Sequence, residues 1–463
     1  MSEPSPAERL ARQRDAFLAR PYPSLAERRD ALKRLRRAVR RHAADLARAC
    51  DADFNPRPAH ETLMLDVLPL QLHIDHLLGG LRRWMRPSRR KVEWLFLGNR
   101  AFVSYQPKGV VGVIAPWNFP IYLALGPIAT ALAAGNRCML KTSEYAPATS
   151  QALKRLLADG FDADEAAVVE GGPETARTFS ALPFDHLVFT GSPEIGRHVM
   201  RAAADNLTPV TLELGGKSPA LVSRSADIAL AARRIAHGKT ANAGQICVAP
   251  DYALVPEESA ESFARLAVQS AERFIQGGTT ALIHQGAYGR QQALIEDARA
   301  KGARIFACSQ PGDGRRMTLH VVLGVTDDMR LAREEIFGPI LPVLTYGAFD
   351  AAVARVNRGP RPLALYYFGH DQAERETVLT RTHSGGVVFN DWGWQVANHD
   401  LPFGGIGTSG MGNYHGEEGF RELSHAKAVF DEHRLFPIEL FHPPFGGPLQ
   451  KFVLWLSTGL AGT

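Results

Sequence analysis

Gly109-Val110-Val111-Gly112-Val113-Ile114-Ala115-Pro116-Trp117-Asn118-Phe119-Pro120 is an apolar run that stops at two prolines enclosing three other residues. Val110 to Ile114 predicts a buried strand, because a strand covered on both faces reads as a continuous apolar run. Tyr122 to Ala134 then predicts a helix closed by Gly135. The alternation continues with a strand at Cys138 to Lys141, a helix at Thr149 to Ala158 and a strand at Ala167 to Glu170. Gly171-Gly172, a helix from Glu174, a strand at His186 to Thr190 and a helix at Pro193 to Ala204 follow. Repeated strand–helix units predict a parallel sheet able to hold a nucleotide at its carboxyl edge.

Outward from this core, Val210 to Leu214 opens a second alternating set. It comprises a helix from Asp227 to Asn242, a strand at Tyr252 to Val255, a helix from Glu258 to Phe274 and strands near Ile305, Val321 and Val343. This set reads as a second α/β domain. Upstream, residues 1 to about 86 read as helical. Val92 to Leu97 and Ala101 to Gln106, on either side of Gly98-Asn99-Arg100, predict a hairpin. It lies outside the alternating pattern and suits subunit contact.

A chain of 463 residues with a formal charge of +5 has ample apolar material for two or three domains. Ser24-Leu25-Ala26-Glu27 reads as a capping box that starts an Arg-rich helix. Its basic cluster (Lys33, Arg34, Arg36, Arg37, Arg40, Arg41) is interleaved with Glu27, Asp30 and Asp45. That pattern reads as the solvated face of an amphipathic helix rather than a nucleic-acid or acidic-lipid patch. Four scattered cysteines and no apolar leader segment predict a reducing cytoplasm. No run is long enough to span a bilayer, and Phe452 to Leu456 is expected to pack as a terminal segment.

Several chemistries lack their signatures: there is no Walker loop, no His-Glu-x-x-His and no tyrosine followed four residues later by lysine. Gly405 to Gly410 matches Gly-x-Gly-x-x-Gly but has no preceding strand, so it reads as a tight loop. Gly244-Gln245-Ile246-Cys247-Val248-Ala249-Pro250 places a thiol between a helix and a strand, where it can face a cleft as a nucleophile. Asn118 offers uncharged donors suited to an oxyanion; its plainer reading is an Asn turn. Glu213, at the end of an apolar strand beside Gly215 and Gly216, suits a general base; its alternative is a pair with Lys217. Lys141 and Glu144 end a strand and suit a ribose, or form a surface ion pair. Phe189 to Gly196 suits a diphosphate, or is a plain strand–turn–helix junction. Glu335 suits a ribose and Phe337 a pocket wall, although adjacent acids such as Glu334 and Glu335 are commonly solvated.

Taken together, Pro116 to Pro120, Phe189 to Ser192, Glu213 to Pro219, Gly244 to Pro250, Glu334 to Pro339 and Leu401 to Gly412 resemble, in order and spacing, the aldehyde dehydrogenase superfamily. The likeness runs from about residue 10 to 430. Ala249-Pro250-Asp251-Tyr252 and Asn413-Tyr414-His415-Gly416, with the short N-terminus, resemble its class 3 branch, and within it bacterial coniferyl aldehyde dehydrogenases. Thr142 departs from the proline common at that place in class 3.

The resemblance implies an α/β fold with a Rossmann-like NAD(P)-binding domain (1–88 and 107–212) and an α/β catalytic domain (213–395). A small β bridging element (89–106 and 396–435) and a tail (436–463) complete it. It implies Cys247 as nucleophile, Glu213 as general base, and Asn118 with the Cys247 N–H as oxyanion hole. Ile114, Pro116, Trp117, Lys141, Glu144, Gly191, Ser192, Gly196, Glu335 and Phe337 are implied in cofactor binding. Phe119, Trp392, Trp394 and Phe403 are implied in the substrate pocket, with packing or subunit contact as the alternative for the two tryptophans, and no metal is implied. The implied cofactor is NAD, with NADP as an alternative. The implied activity is oxidation of an aldehyde to its acid through a thiohemiacetal and a thioester, in a cytoplasmic homodimer without nucleic-acid partners or stable membrane insertion. The expected substrate is aromatic, such as coniferyl aldehyde, with a medium- or long-chain aliphatic aldehyde as runner-up. Glu213 argues against a variant that passes the acyl group to coenzyme A, and the Cys247, Glu213 and Asn118 set argues against a non-catalytic binding protein.

Overall fold

The computed structural model describes residues 4–310 and 312–459. The chain forms two units, Met1–Trp84 with Pro107–Ser424, and Met85–Gln106 with His425–Thr463.

In the larger unit the helices Pro6–Ala19 and Leu25–Phe54 each begin in a capping box, at Ser5 and Ser24. Leu32, Leu35, Val39 and Leu46 of the second helix are fully buried. Of its basic cluster, Lys33, Arg37, Arg40 and Arg41 are exposed as expected, while Arg34 and Arg36 are half-buried. Arg28 is buried and donates to the carbonyls of Ala133 and Ala134 at 3.3 and 2.7 Å. Those carbonyls end the helix Tyr122–Ala134, where they lack helical partners and carry the negative end of its dipole. Arg34 clasps Glu165 through two bonds of 2.9 and 2.8 Å, and Arg41 pairs with Asp159.

The first sheet has the order Gly410–Met411, Val210–Leu214, His186–Gly191, Val110–Ile114, Arg137–Lys141, Ala166–Val169. All its pairings are parallel except that of Gly410–Met411 with Val210–Leu214. Val110–Ile114 is first in sequence yet central in space, so strand order reverses between it and His186–Gly191. A crevice opens outside the carboxyl ends of strands at such a switch point. Residues 396–424, expected with the small element, lie in the larger unit, because Gly410 pairs with Glu213 in this sheet.

The second sheet has the order Arg304–Ala307, His320–Leu323, Ile340–Tyr346, Tyr252–Pro256, Pro219–Val222, Ala364–Phe368, Gly386–Phe389. Its pairings are parallel except that between Arg304–Ala307 and His320–Leu323.

In the smaller unit the expected hairpin is corrected. Arg100–Pro107 pairs antiparallel with Ser88–Arg90, and Trp94–Phe96 forms one turn of 3₁₀ helix. The apolar run near Phe96 answers to ring packing instead of strand alternation. Its ring stacks on Phe441 at 5.5 Å and meets Phe430 edge-on at 5.7 Å. The C-terminal helix Pro448–Thr458 also departs from expectation. Phe452, Leu454, Trp455 and Leu456 are all more than half exposed, because apolar residues surround most of its circumference and one contact face cannot cover them. Among the described residues no helix is long and apolar enough to cross a membrane.

Candidate active site

The helix Ile228–Thr240 ends abruptly in three consecutive left-handed residues, Asn242, Ala243 and Gly244, with φ of 47°, 53° and 71°. Two of these are not glycine, a conformation that costs about 1–2 kcal/mol each and persists only when neighbours enforce it. Here they do. The Asn242 N–H donates to Glu61 Oε1 at 2.6 Å, and Asn242 Nδ2 donates to the Asn118 carbonyl at 2.9 Å. Gln245 Nε2 donates to the Asn242 carbonyl at 3.0 Å, while its Oε1 accepts the Ile283 N–H at 3.0 Å. A side chain at Gly244 would run into the backbone of Gly338. The loop therefore delivers Cys247 in a fixed, half-buried position. Burial pushes its thiol up to about 12, helped by the charges of Glu335 and Glu213 and opposed by the N–H groups of Val248 and Cys247.

Asn118 follows the strand Val110–Ile114 and is buried. One of its amide N–H groups donates to the Gln245 carbonyl at 3.1 Å, two residues before Cys247. A primary amide has two such donors, so this bond aims the group and leaves the second N–H for another acceptor. Its backbone carbonyl accepts from Arg57 Nη1 at 3.3 Å, and Arg57 in turn pairs with buried Asp66 at 3.0 Å. Asp66 sits in a π-helical turn, Leu63–Val67, and accepts the Tyr122 N–H at 2.8 Å. Single-turn π-bulges are frequent at functional sites. Nothing in the sequence marks this one.

Glu213 has no pair with Lys217. Lys217 binds Asp251 and the carbonyls of Leu331 and Glu334 at 2.9 and 2.7 Å. Asp251 also accepts the Ile336 N–H at 2.8 Å, so this pair fixes the segment carrying Glu335 and Phe337. Among the described residues neither buried Glu213 oxygen has a hydrogen-bond partner. Desolvation alone raises its carboxyl well above the usual range. The Gly-rich loop has a part here: a side chain at Gly404 would approach Glu213 Oε1 to 3.2 Å.

A cavity of about 410 Å³ opens beside the thiol. Cys247 lines it together with Phe119, Trp392, Trp394 and Phe403, four residues assigned to a substrate pocket from sequence. Tyr122, Phe274, Leu65, Arg233, Arg234 and His237 line it as well and were not anticipated. Behind Tyr122 lies a buried cluster of His73, His399 and His415, whose ring nitrogens come within 4.8 Å of one another. Tyr122 Oη bonds His415 Nε2 at 2.9 Å. The three imidazoles are far apart in sequence, so spacing gave no signal; burial holds each below its usual pKa.

The remaining expected residues lie at the carboxyl edge of the first sheet and the segment facing it. Ile114, Pro116 and Trp117 leave the central strand, and Trp117 meets Phe337 edge-on at 5.5 Å. Lys141 is buried; its Nζ donates to the Thr142 carbonyl at 2.6 Å and lies 3.8 Å from Glu144. Burial lowers the Lys141 ammonium despite that carboxylate. Gly191 and Ser192 open the helix Pro193–Ala204, with Ser192 Oγ accepting the Ile195 N–H at 3.3 Å. Gly196 lies against Leu214, where a side chain would come within 2.7 Å. Glu335 packs against Gly215, and burial, reinforced by Asp251, raises it to about 7.

Comparison with known proteins agrees with this geometry. The model of the aldehyde dehydrogenase family matches residues 9–429. A Pseudomonas aeruginosa protein named probable coniferyl aldehyde dehydrogenase is 49% identical, over 96% of this chain and 94% of its own length. A coniferyl aldehyde dehydrogenase from another Pseudomonas strain is 48% identical over 86% of this chain and 85% of its own. The substrate-bound structure of Staphylococcus aureus AldH superposes with a TM-score of 0.92 at 32% identity, covering 97% of this chain and 99% of that one. The match to the family model across nearly the whole chain, with relatives close to half identical, settles membership: the protein belongs to the aldehyde dehydrogenase family.

Proposed function

We propose that this enzyme oxidises an aromatic aldehyde, of the coniferyl type, to its carboxylic acid with NAD(P) as hydride acceptor. The observation that carries the reading is Glu213, buried with neither oxygen hydrogen-bonded and close enough to influence the Cys247 thiol. Burial raises the pKa of a carboxyl kept this dry, so its carboxylate form is a stronger base than an exposed one and suits taking a proton from water.

The carboxyl edge of the first sheet fits a dinucleotide. The strand order reverses there, Gly191 and Ser192 open a helix, and Lys141 with Glu144 places a cation and a carboxylate at the next strand end. Lys141 and Glu144 would hold the adenosine ribose, Gly191 to Gly196 the diphosphate, and Glu335 the nicotinamide ribose. Phe337, Trp117, Pro116 and Ile114 would wall it. Bound there, the nicotinamide supplies the acceptor for the hydride released at the aldehyde carbon.

The chain's own residues do the rest. Cys247 passes its proton to solvent water as its sulfur attacks the carbonyl carbon. The oxyanion that forms takes the free N–H of Asn118 and the Cys247 backbone N–H, a contribution of roughly 3 kcal/mol for one donor. Loss of hydride leaves a thioester on Cys247. Glu213 takes a proton from water, the resulting hydroxide attacks the thioester, and the acid departs as the thiolate leaves.

The aromatic preference draws on the names of the Pseudomonas relatives and on the cavity walls, where Phe119, Phe274, Trp392 and Phe403 offer flat apolar surface. Glu144 favours a free ribose hydroxyl, hence NAD, while Lys141 tolerates a phosphate. The four unpaired cysteines support a cytoplasmic setting, and we take the enzyme to be a homodimer, which sedimentation will test. Two measurements decide the main reading. Coniferaldehyde should have a higher kcat/KM than hexanal; the reverse order rejects the aromatic assignment. Glu213→Gln should give a burst of about one equivalent of reduced nucleotide per site followed by slow turnover. A slow phase with no burst would move Glu213 out of the hydrolytic step.

A further inference from the structure

The cavity is largely apolar; its charged and titratable lining residues other than Cys247 and Tyr122 are Asp391 and, on the helix Ile228–Thr240, Arg233, Arg234 and His237. Arg233, Arg234 and His237 lie on one face of that helix, at i, i+1 and i+4, and all three line the cavity. Arg234 is engaged: it lies 3.6 Å from Asp391 and donates to the Asn390 carbonyl. His237 is exposed at the cavity mouth between two rings, Phe274 edge-on at 5.6 Å and Trp392 tilted at 5.4 Å.

Trp392 Nε1 donates to His237 Nδ1 at 3.1 Å. An indole nitrogen is only a donor, so Nδ1 must carry the lone pair and the neutral ring carries its proton on Nε2. A proton on Nδ1 would oppose the indole N–H, so this contact also disfavours the imidazolium. Trp392 is itself held, its backbone N–H on Asp391 Oδ1 at 2.9 Å and its ring against Gly238, where a side chain would come within 3.0 Å. The indole therefore fixes one tautomer of a histidine that shares a cavity with Cys247.

We infer that His237, locked by Trp392 as an Nε2–H donor, is a specificity-determining residue that recognises an oxygen substituent on the ring of an aromatic aldehyde. This rests on the aromatic reading above and adds to it a preference for oxygenated rings. A neutral donor suits a phenol or an aryl ether, whose oxygen accepts; an unsubstituted ring offers the N–H no acceptor. One such hydrogen bond corresponds to about three- to tenfold in kcat/KM.

The test is the ratio of kcat/KM for 4-hydroxycinnamaldehyde to that for cinnamaldehyde, in wild type, His237→Leu and His237→Gln. We expect a ratio of about three to ten in wild type, falling to about one in His237→Leu mainly through KM. Recovery by at least half is expected in His237→Gln, which restores an N–H. 4-Methoxycinnamaldehyde, which accepts but cannot donate, should follow the hydroxylated substrate. A wild-type ratio of one, or a ratio unmoved in His237→Leu, overturns the inference while leaving the aromatic reading intact. If wild type turns over hexanal well and neither cinnamaldehyde, the aromatic reading itself has failed. Because each enzyme serves as its own reference, a loss of folded protein lowers both rates and leaves the ratio unchanged.

Discussion

Two buried carboxylates on the larger unit have opposite surroundings. Asp66 is fully enclosed and fully engaged: Arg57 on one oxygen at 3.0 Å, the Tyr122 N–H on the other at 2.8 Å. Glu213 is equally hidden, and both its oxygens are bare. Burial raises the carboxyl pKa at both, but at Asp66 the guanidinium and backbone donors push back, whereas at Glu213 nothing does. Asp66 is a structural tie that carries Arg57 to the Asn118 carbonyl. Glu213 has no structural bond to lose, and that leaves it able to exchange a proton. On the proposed mechanism, stability and reactivity are divided between two acids by the partners each has.

Changes at either end of this contrast will show whether it holds. The largest effect should follow Cys247→Ala, which removes the proposed nucleophile. We expect aldehyde oxidation to fall by about 10⁴-fold or more, with nucleotide binding retained, read as reduced-nucleotide formation alongside fluorescence titration. Arg57→Met comes next. It strands the Asp66 charge, and breaking a buried pair costs about 3–5 kcal/mol, so the urea midpoint should drop sharply. An unchanged midpoint would mean that Asp66 is no more a tie than Glu213. Asn118→Ala should lower kcat by about 10²–10³-fold while moving the midpoint much less than Arg57→Met.

The smallest effect is also the most specific to Glu213. Its folded-state pKa lies above the unfolded value of about 4.3, so the native state binds the extra proton. Wild-type stability therefore falls as pH rises through the window from that unfolded value up to the raised native one, by at most about 1.4 kcal/mol per unit. Glu335, raised to about 7, adds a slope of the same sign up to that pH. Glu213→Gln keeps the shape of the neutral acid and removes only its own share. The variant should match wild type near pH 4 and become progressively more stable than it above that. A difference that shrinks with rising pH would show that Glu213 is ionised and partnered after all.

Much of the architecture was legible because burial writes itself into composition. Val110–Ile114, Tyr122–Ala134, Pro193–Ala204 and Val210–Leu214 occupy the residues their patterns predict. Pro219–Val222, Ala364–Phe368 and Gly386–Phe389 passed unnoticed, since apolar runs of four or five residues look alike in any buried setting. The run around Phe96 misled for the opposite reason. Its apolar residues serve an aromatic cluster, and rings meet at angles that strand alternation does not describe. Glu213 and Lys217 are four residues apart and invite pairing, yet Lys217 turns to Asp251 across the second sheet.

By itself, the sequence determined the alternating strands and helices, the family likeness, and which thiol and acids deserved notice, because those depend on local periodicity and on residue type. Only the tertiary structure decided that Glu213 is left without a partner and that Asn118 is aimed by Gln245. The joining of His237 to Trp392, 155 residues away, also belongs to it. Hydrogen bonding and desolvation are set by whichever groups the packed chain brings within about three ångströms, and that proximity has no trace in linear order.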